Sequence, residues 1–397
     1  MFGISKPDHR SAIAVDIGSS SVGVAVVCLH ADDTPEIIWE HREYNLIRSD
    51  ASPAAQTKQI KTTLINAFLE LSQIGMAALR NSGHSTDITE VQALISAPWS
   101  YTITKTINLK DEHPFTVTED TLSELVESAR KQSKLTFATN KLAAELGLVI
   151  THGDVINVAV NEYSVTDPTD QKGRTLSLSY LETAISEHII ETLEDTVNKF
   201  FPKAKQSNYS FMYAFYLTLK HMHPNTSEIC LIDVTGEATE IGIVRDNTLK
   251  HTSFVSAGTY TIARDLAEAC SIPKEEAYSY MKDSPDEIVE RLPKRSSDKV
   301  QEVLNSYQEH LADLFSRTGD ILTIPKTIFL HTDVRTEEFF INQITRAAHA
   351  ATGVTHTIHP FTTKVLDHAE SNDSAVLVAV NFLAKKEAYF TLLPKDN

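Results

Sequence analysis

Two short segments carry the residue types that could handle a phosphate. Asp16-Ile17-Gly18-Ser19-Ser20-Ser21 places a carboxylate at the end of an apolar run, then a glycine and three hydroxyls. Asp233-Val234-Thr235-Gly236-Glu237-Ala238-Thr239 offers the same kinds of part in the same order. A glycine turn lets backbone N–H groups approach phosphate oxygens, hydroxyls add donors, and an aspartate at a strand end can hold a hydrated magnesium ion. Taken singly, each segment also reads as a plain turn between two strands. Taken together they describe two hairpins able to clamp a polyphosphate and its metal from both sides.

Other chemistries find less support. The 16 histidines include His221 and His223, His331, and His356 and His359, but no second cluster with ligand spacing accompanies them. Cys28, Cys230 and Cys270 are widely spaced in or beside apolar runs, which reads as buried thiols in a reducing compartment. No Gly-x-Ser-x-Gly elbow occurs.

The flanking patterns say what must position the two segments. Ala12–Ile17 and Val22–Leu29 read as strands around a turn at Gly18–Ser21, with a third strand at Glu36–Trp39. An amphipathic helix follows from Lys58 to Leu79, then a buried strand at Val91–Ala97. The second half repeats the scheme with strands at Glu228–Val234, Thr239–Val244 and Leu249–Val255, then Ala257, Gly258 and a helix. One βββα plan used twice suggests a duplicated architecture. Between the copies lies a small α+β unit. Its strands are expected at Ile103–Leu109, Val155–Val165 and Thr175–Tyr180, with one helix after the cap Thr118 and a closing helix at Glu182–Phe201. Later come a Pro-punctuated charged helical stretch (Ser271–Arg317), a strand at Thr327–His331, a helix at Glu337–Ala351, a short strand at His356–Ile358, and an apolar helix at Asp373–Lys385. The acidic helix within Pro285–Arg317 is expected to present a solvated face.

Composition narrows the class of partner. The chain has 397 residues, 42% of them hydrophobic and 22% charged, which suits a folded protein of several domains. Its net charge of −17, with no basic stretch, argues against nucleic acid and anionic lipid as partners. The N-terminal MFGISKPDHR lacks a signal-peptide core, and no apolar run reaches the length of a membrane span, so a cytoplasmic location is expected.

The paired hairpins resemble the first and second phosphate motifs of the actin, sugar kinase and heat-shock ATPase superfamily, and within it the FtsA/PilM-like branch of cell-division and type IV pilus assembly proteins. The first motif of that branch is matched at Asp16–Ser20. Phe254–Asp265 resembles the strand, glycine turn and helix after the second motif, Val155–Val165 with Thr175–Ile185 resembles part of the inserted subdomain, and Asp373–Ala384 resembles the closing helix of the first lobe.

The resemblance implies a two-lobed α/β fold, ribonuclease H-like and duplicated. The first lobe would begin at 1–97, an inserted α+β subdomain would span 98–202, and a second lobe would span 203–372 with a helical part at about 263–322. Residues 373–397 would return to the first lobe. It implies ATP and Mg as cofactors, bound by Asp16, Gly18, Ser19, Ser20, Ser21, Asp233, Gly236, Thr239 and Gly258, with Asp16 and Asp233 holding the metal through water. It implies an adaptor or scaffold working through protein partners of a division or pilus complex, with self-association as a further expectation. The end of the chain, Thr391-Leu-Leu-Pro-Lys-Asp-Asn397, carries no amphipathic helix, so membrane contact at the inner face would run through a partner. The alternative class is an ATP hydrolase or phosphotransferase, for which no water-positioning carboxylate or glutamine can be assigned.

Three departures from the pattern count against nucleotide. Thr235 and Glu237 flank a single Gly236 where consecutive glycines are usual, and Glu237 would face a triphosphate with like charge. The expected adenosine glycines are replaced by Phe329, Leu330, His331, Thr332, Asp333 and Val334. Tyr278 and Met281 stand at the ribose positions, with Lys282 one residue further on. A third reading follows from these departures, a structural protein of the same fold that no longer binds nucleotide.

Overall fold

The computed structural model describes residues 9–30, 34–49, 52–139, 141–283, 288–318, 324–332, 336–362 and 371–389. Asp333 and Val334 lie outside them, as do Pro285 and the segment from Thr391.

The first sheet contains β1 (His9–Ile17), β2 (Ser21–His30), β3 (Pro35–Tyr44), β4 (Ile88–Ile95) and β9 (Lys205–Ser210), in the order β3-β2-β1-β4-β9. The second contains β10 (Ile229–Val234), β11 (Thr239–Arg245), β12 (Thr248–Val255), β13 (Thr327–Thr332) and β14 (Thr357–Pro360), in the order β12-β11-β10-β13-β14. In both, three strands form an antiparallel meander and two more add parallel to the central one. The protein is thus two lobes built on one plan, and Asp16 and Asp233 occupy the same place, one residue before the end of the central strand.

Strand alternation then decides what each lobe packs. On β1, Ile13, Val15 and Ile17 join a core with α1 (Pro53–Glu70), whereas Ala12 and Ala14 face inward with Ala25. Small inward residues let helices approach closely. Two of them, α6 (Phe211–Met222) and α12 (Ser374–Tyr389), lie in one core with residues of both sheets, including Leu231 and Phe329 of the second. All residues from Phe211 to Leu219 are buried. At about 1.5–3 kcal/mol per large apolar side chain, α6 is a main tie between the lobes.

Between β4 and β9 stands a third sheet, order β5-β8-β6-β7, made of β5 (Ser100–Thr116), β6 (Leu148–Val160), β7 (Tyr163–Ser164) and β8 (Lys172–Ser186). The helix α3 (Glu119–Thr139) covers one face through Leu122, Leu125 and Ala129, and Thr118 caps it by accepting from the Thr121 N–H at 3.2 Å. The strand expected at Val155–Val165 begins earlier, at Leu148. It breaks at Asn161 and Glu162, whose positive φ values of 49° and 71° make a hairpin turn. The closing helix α5 (Glu187–Phe200) starts later than expected, because Glu182–Ser186 belong to β8 and are buried on both faces.

After β12 come α7 (Thr259–Cys270), α8 (Lys274–Asp283), α9 (Ile288–Arg291) and α10 (Ser297–Ser316), and α11 (Glu337–Thr352) follows β13. The helix α10 buries Val300, Leu304, Tyr307, Leu311 and Leu314 in the outer core of the second lobe, so its charged residues form one face only.

Candidate functional site

The turns at the ends of β1 and β10 are built alike. In the first, the Gly18 N–H donates to Ser21 O at 3.0 Å; in the second, the Thr235 N–H donates to Ala238 O at 2.9 Å. Gly258 supports the second turn from behind: a Cβ there would stand 2.1 Å from Thr235 O. Only glycine allows that approach.

The two turns meet each other directly. The Glu237 N–H donates to Ser19 Oγ at 2.8 Å, Ser19 Oγ lies 2.6 Å from Thr235 Oγ1, and Thr235 Oγ1 donates to Ala238 O at 3.2 Å. A Cβ on Gly236 would fall 2.2 Å from Ser20 Cβ. Ser19, Ser20 and Ser21 are all buried. Asn45 fastens the first turn by donating from Nδ2 to Ser19 O (3.2 Å) and from its own N–H to Ser20 O (2.7 Å), while Tyr260 OH crosses from the second lobe to Asn45 O at 3.0 Å.

Asp16 lies on the floor of this junction with Arg42 of β3 against it. Arg42 Nη2 donates to Asp16 Oδ2 (2.8 Å) and to Asp373 Oδ1 (2.9 Å), Nε to Asp373 Oδ2 (2.5 Å), and Nη1 to Ser21 Oγ (2.8 Å). Asp373 in turn accepts from the Ala375 and Val376 N–H groups, capping α12. The shared guanidinium leaves the two carboxyls on opposite sides of the ordinary range. Burial raises the pKa of Asp16 against the pull of Arg42, whereas at Asp373 the two bonds from Arg42 and the helix cap outweigh burial and lower it. Burial alone would lower the pKa of Arg42; the two aspartates reverse this and leave it well above the usual value.

Across the junction, Asp233, Glu240 and His331 form one row on adjacent strands. His331 Nδ1 lies 2.7 Å from Asp233 Oδ1. Glu240 is buried beside Asp233, and desolvation followed by that neighbour's charge raises its pKa well above the carboxylate range.

The expected site residues are therefore only partly gathered. Asp16, Gly18, Ser19, Ser20 and Ser21 line the first turn and Asp233 and Gly236 the second, with Gly258 as buttress. Thr239 is not among them: its Oγ1 donates to Ala257 O at 2.7 Å and meets Tyr307 OH at 2.9 Å, on the opposite face of β11 from Glu240. Alternation along the strand puts Glu240 on the inner face, not Thr239. Glu237, expected to face a phosphate, is held instead by Arg264 in a bidentate pair at 2.7 and 2.6 Å and by Thr261 at 3.2 Å. At the expected ribose wall, Met281 is in the core, Tyr278 meets Tyr260 edge-on, and Lys282 lies over the Tyr278 ring.

These residues do not fit a nucleoside triphosphate between the hairpins. Its space is taken by the Ser20–Gly236 contact, and the Ser19 and Ser21 hydroxyls and the Glu237 N–H already bond within the protein. For the metal expectation, one oxygen of Asp16 is taken by Arg42 and one of Asp233 by His331, while Asp16 Oδ1 and Asp233 Oδ2 are buried without a hydrogen-bond partner. Among the described residues no group of three or more His, Cys, Asp or Glu side chains is arranged to hold a metal ion. That includes the surface cluster at the far end of β1 and β2, where His30 and His84 both reach the carboxylate of Glu36 and His84 Nδ1 lies 3.5 Å from Cys28 Sγ.

The chain superposes on a chain of a "PilM-PilN type IV pilus biogenesis complex" with a TM-score of 0.58 and 13% identity, covering 98% of this chain and 100% of that one. Two further solved structures match more loosely. One is a Bacteroides thetaiotaomicron protein with actin-like ATPase fold (TM-score 0.43, 9% identity, 95% and 98% covered). The other is the ethanolamine utilization protein EutJ from Carboxydothermus hydrogenoformans (TM-score 0.43, 10% identity, 94% and 91% covered). No protein-family model and no curated sequence matches the chain. The chain has the two-lobed actin-like fold. Among the described residues no helix is long and apolar enough to cross a membrane.

Proposed function

We propose that this protein is an actin-like scaffold that works by binding protein partners, in the manner of an adaptor in a pilus-assembly or cell-division complex, and that it does so without a nucleotide. One observation carries this reading: the hairpins that would grip a polyphosphate are bonded to each other, Ser19 to Thr235 and to the Glu237 N–H, with Ser20 against Gly236. A fold closed by its own side chains serves as a body of fixed shape. The likeness to a chain of a PilM–PilN complex supports a protein partner of that kind, with the inserted unit at 98–202 as an arm that such a partner could use. Membrane contact would then run through the partner.

Thermal melting with and without Mg-ATP tests the reading. A ligand at 100 times its dissociation constant stabilises by about 2.7 kcal/mol, so a bound nucleotide would move the transition measurably. The expected result is no shift at millimolar Mg-ATP. Saturable micromolar binding lost in Asp16→Ala, together with steady phosphate release, would establish the ATP hydrolase instead.

A further inference from the structure

We infer that Arg42 is a built-in cation: its guanidinium supplies, from within the chain, the positive charge that the buried carboxylates at the floor of the cleft require, and so makes the junction independent of any bound metal. This rests on the reading that the cleft holds no nucleotide, and it goes further by naming the group that replaces the ligand's charge.

The path of the side chain is written into the strand register. Arg42 on β3 pairs with Gly23 on β2, and Gly23 pairs with Asp16 on β1, so the three residues form a row across the sheet. A Cβ at Gly23 would lie 2.6 Å from Arg42 Nη2 and 2.8 Å from a methyl of Val376 on α12. The missing side chain at Gly23 is the gap through which a residue on the third strand reaches the first. Any other residue there would block the guanidinium or displace it.

At the end of that path the fork meets three side chains, while Asp16 Oδ1 stays buried without a hydrogen-bond partner. Nη2 bridges Asp16 and Asp373, Nε makes the second bond to Asp373, and Nη1 takes Ser21. The arginine side chain is 6% exposed, so the charge acts in a medium with little water to screen it. A planar fork suits this arrangement better than a lysine, because one ammonium could not hold both oxygens of Asp373 and also reach Asp16 and Ser21. The bridge also ties distant parts of the chain, since Asp373 begins the helix that packs between the sheets. A divalent ion could neutralise the same carboxylates, and with Arg42 in place it is not needed.

The test is the dependence of melting temperature on divalent cations, with sodium chloride at matched ionic strength as control. The intact protein is expected to melt at the same temperature with and without millimolar magnesium or manganese. Arg42→Ala is expected to melt several degrees lower and to recover part of that loss when magnesium or manganese is added. The recovery should disappear in Arg42→Ala/Asp16→Asn/Asp373→Asn. Gly23→Ala keeps the arginine but obstructs its path, and should reproduce both the loss and the metal response. It therefore decides the matter should Arg42→Ala not fold. An intact protein stabilised by magnesium alone overturns the assignment, as does an Arg42→Ala or Gly23→Ala protein that melts like the parent, or one that melts lower with no metal response. ATP binding by the intact protein in the absence of any magnesium or manganese effect would sink the proposed function and leave the role of Arg42 standing.

Discussion

Replacing Gly236 with alanine probes the contact on which the closed cleft depends. The added methyl would sit 2.2 Å from Ser20 Cβ and 2.6 Å from Ser20 Oγ, against an ordinary carbon–carbon separation of about 3.5–4.0 Å. Gly236 is not in the left-handed region, so the substitution introduces no backbone strain of its own and the clash is the main effect. The turns must part by more than an ångström. Overpacking of this kind costs about 1–3 kcal/mol. The parting also stretches the two hydrogen bonds of Ser19, each worth about 0.5–1.5 kcal/mol, for a total of about 2–6 kcal/mol. Ser20→Gly removes the atoms that clash, at roughly 0.5–1 kcal/mol for a freer chain. The double variant should therefore recover about 1–3 kcal/mol relative to the sum of the single ones. Urea denaturation followed by tryptophan fluorescence, from Trp39 on β3 and Trp99 in the turn after β4, gives the four stabilities of the cycle. Additivity within about 0.5 kcal/mol, or an unaltered Gly236→Ala protein, would show that the turns do not touch in solution.

Other consequences follow from the same seam. Arg264→Ala strands the nearly buried carboxylate of Glu237 and should cost roughly 2–4 kcal/mol, most of it recovered in Arg264→Ala/Glu237→Gln, as denaturation midpoints would show. Glu240 has its folded-state pKa raised, so the folded protein retains a proton that the unfolded chain releases above the ordinary carboxylate pKa; stability should fall as pH climbs from there toward the folded value. Glu240→Gln should remove that slope, gaining on the parent as pH rises above the ordinary carboxylate value, and a parallel pH profile of the two proteins would count against this assignment. Asp373 acts with the opposite sign: its lowered pKa contributes stability above the unfolded value that is lost as pH falls toward the folded one, and Asp373→Asn should flatten the acid limb of the melting curve.

Much of this architecture is written locally. The turns at Gly18–Ser21 and Thr235–Ala238 are short-range features, and the strands beside them alternate or run apolar as buried strands do. Helix α6 was not legible, because Phe211 to Leu219 are buried all round and leave no amphipathic stripe to count. The end of β8 reads as helix for a related reason: Glu182 and Thr183 are polar yet buried, so residue type points to the wrong face. The site suffered most from distance in sequence. Nothing near Arg42 announces that its partner Asp373 lies 331 positions away, or that Gly23 leaves a passage for it. His331 is paired with Asp233 through strand register alone. Glu240 could have been found from the hairpin register: a four-residue turn after Val234 pairs Val234 with Thr239 and Asp233 with Glu240, and cross-strand partners share a face, which also removes Thr239 from the inner face.

On the proposed function, the cleft between the lobes is closed by the protein itself and does not respond to nucleotide. Spin labels at exposed positions on either side, introduced as Thr62→Cys on α1 and Glu275→Cys on α8, would report it most directly, since the three native cysteines are buried. A single narrow distance distribution, identical with and without Mg-ATP, is the predicted result. A broad or two-peaked distribution that sharpens to one distance on adding Mg-ATP would contradict the account.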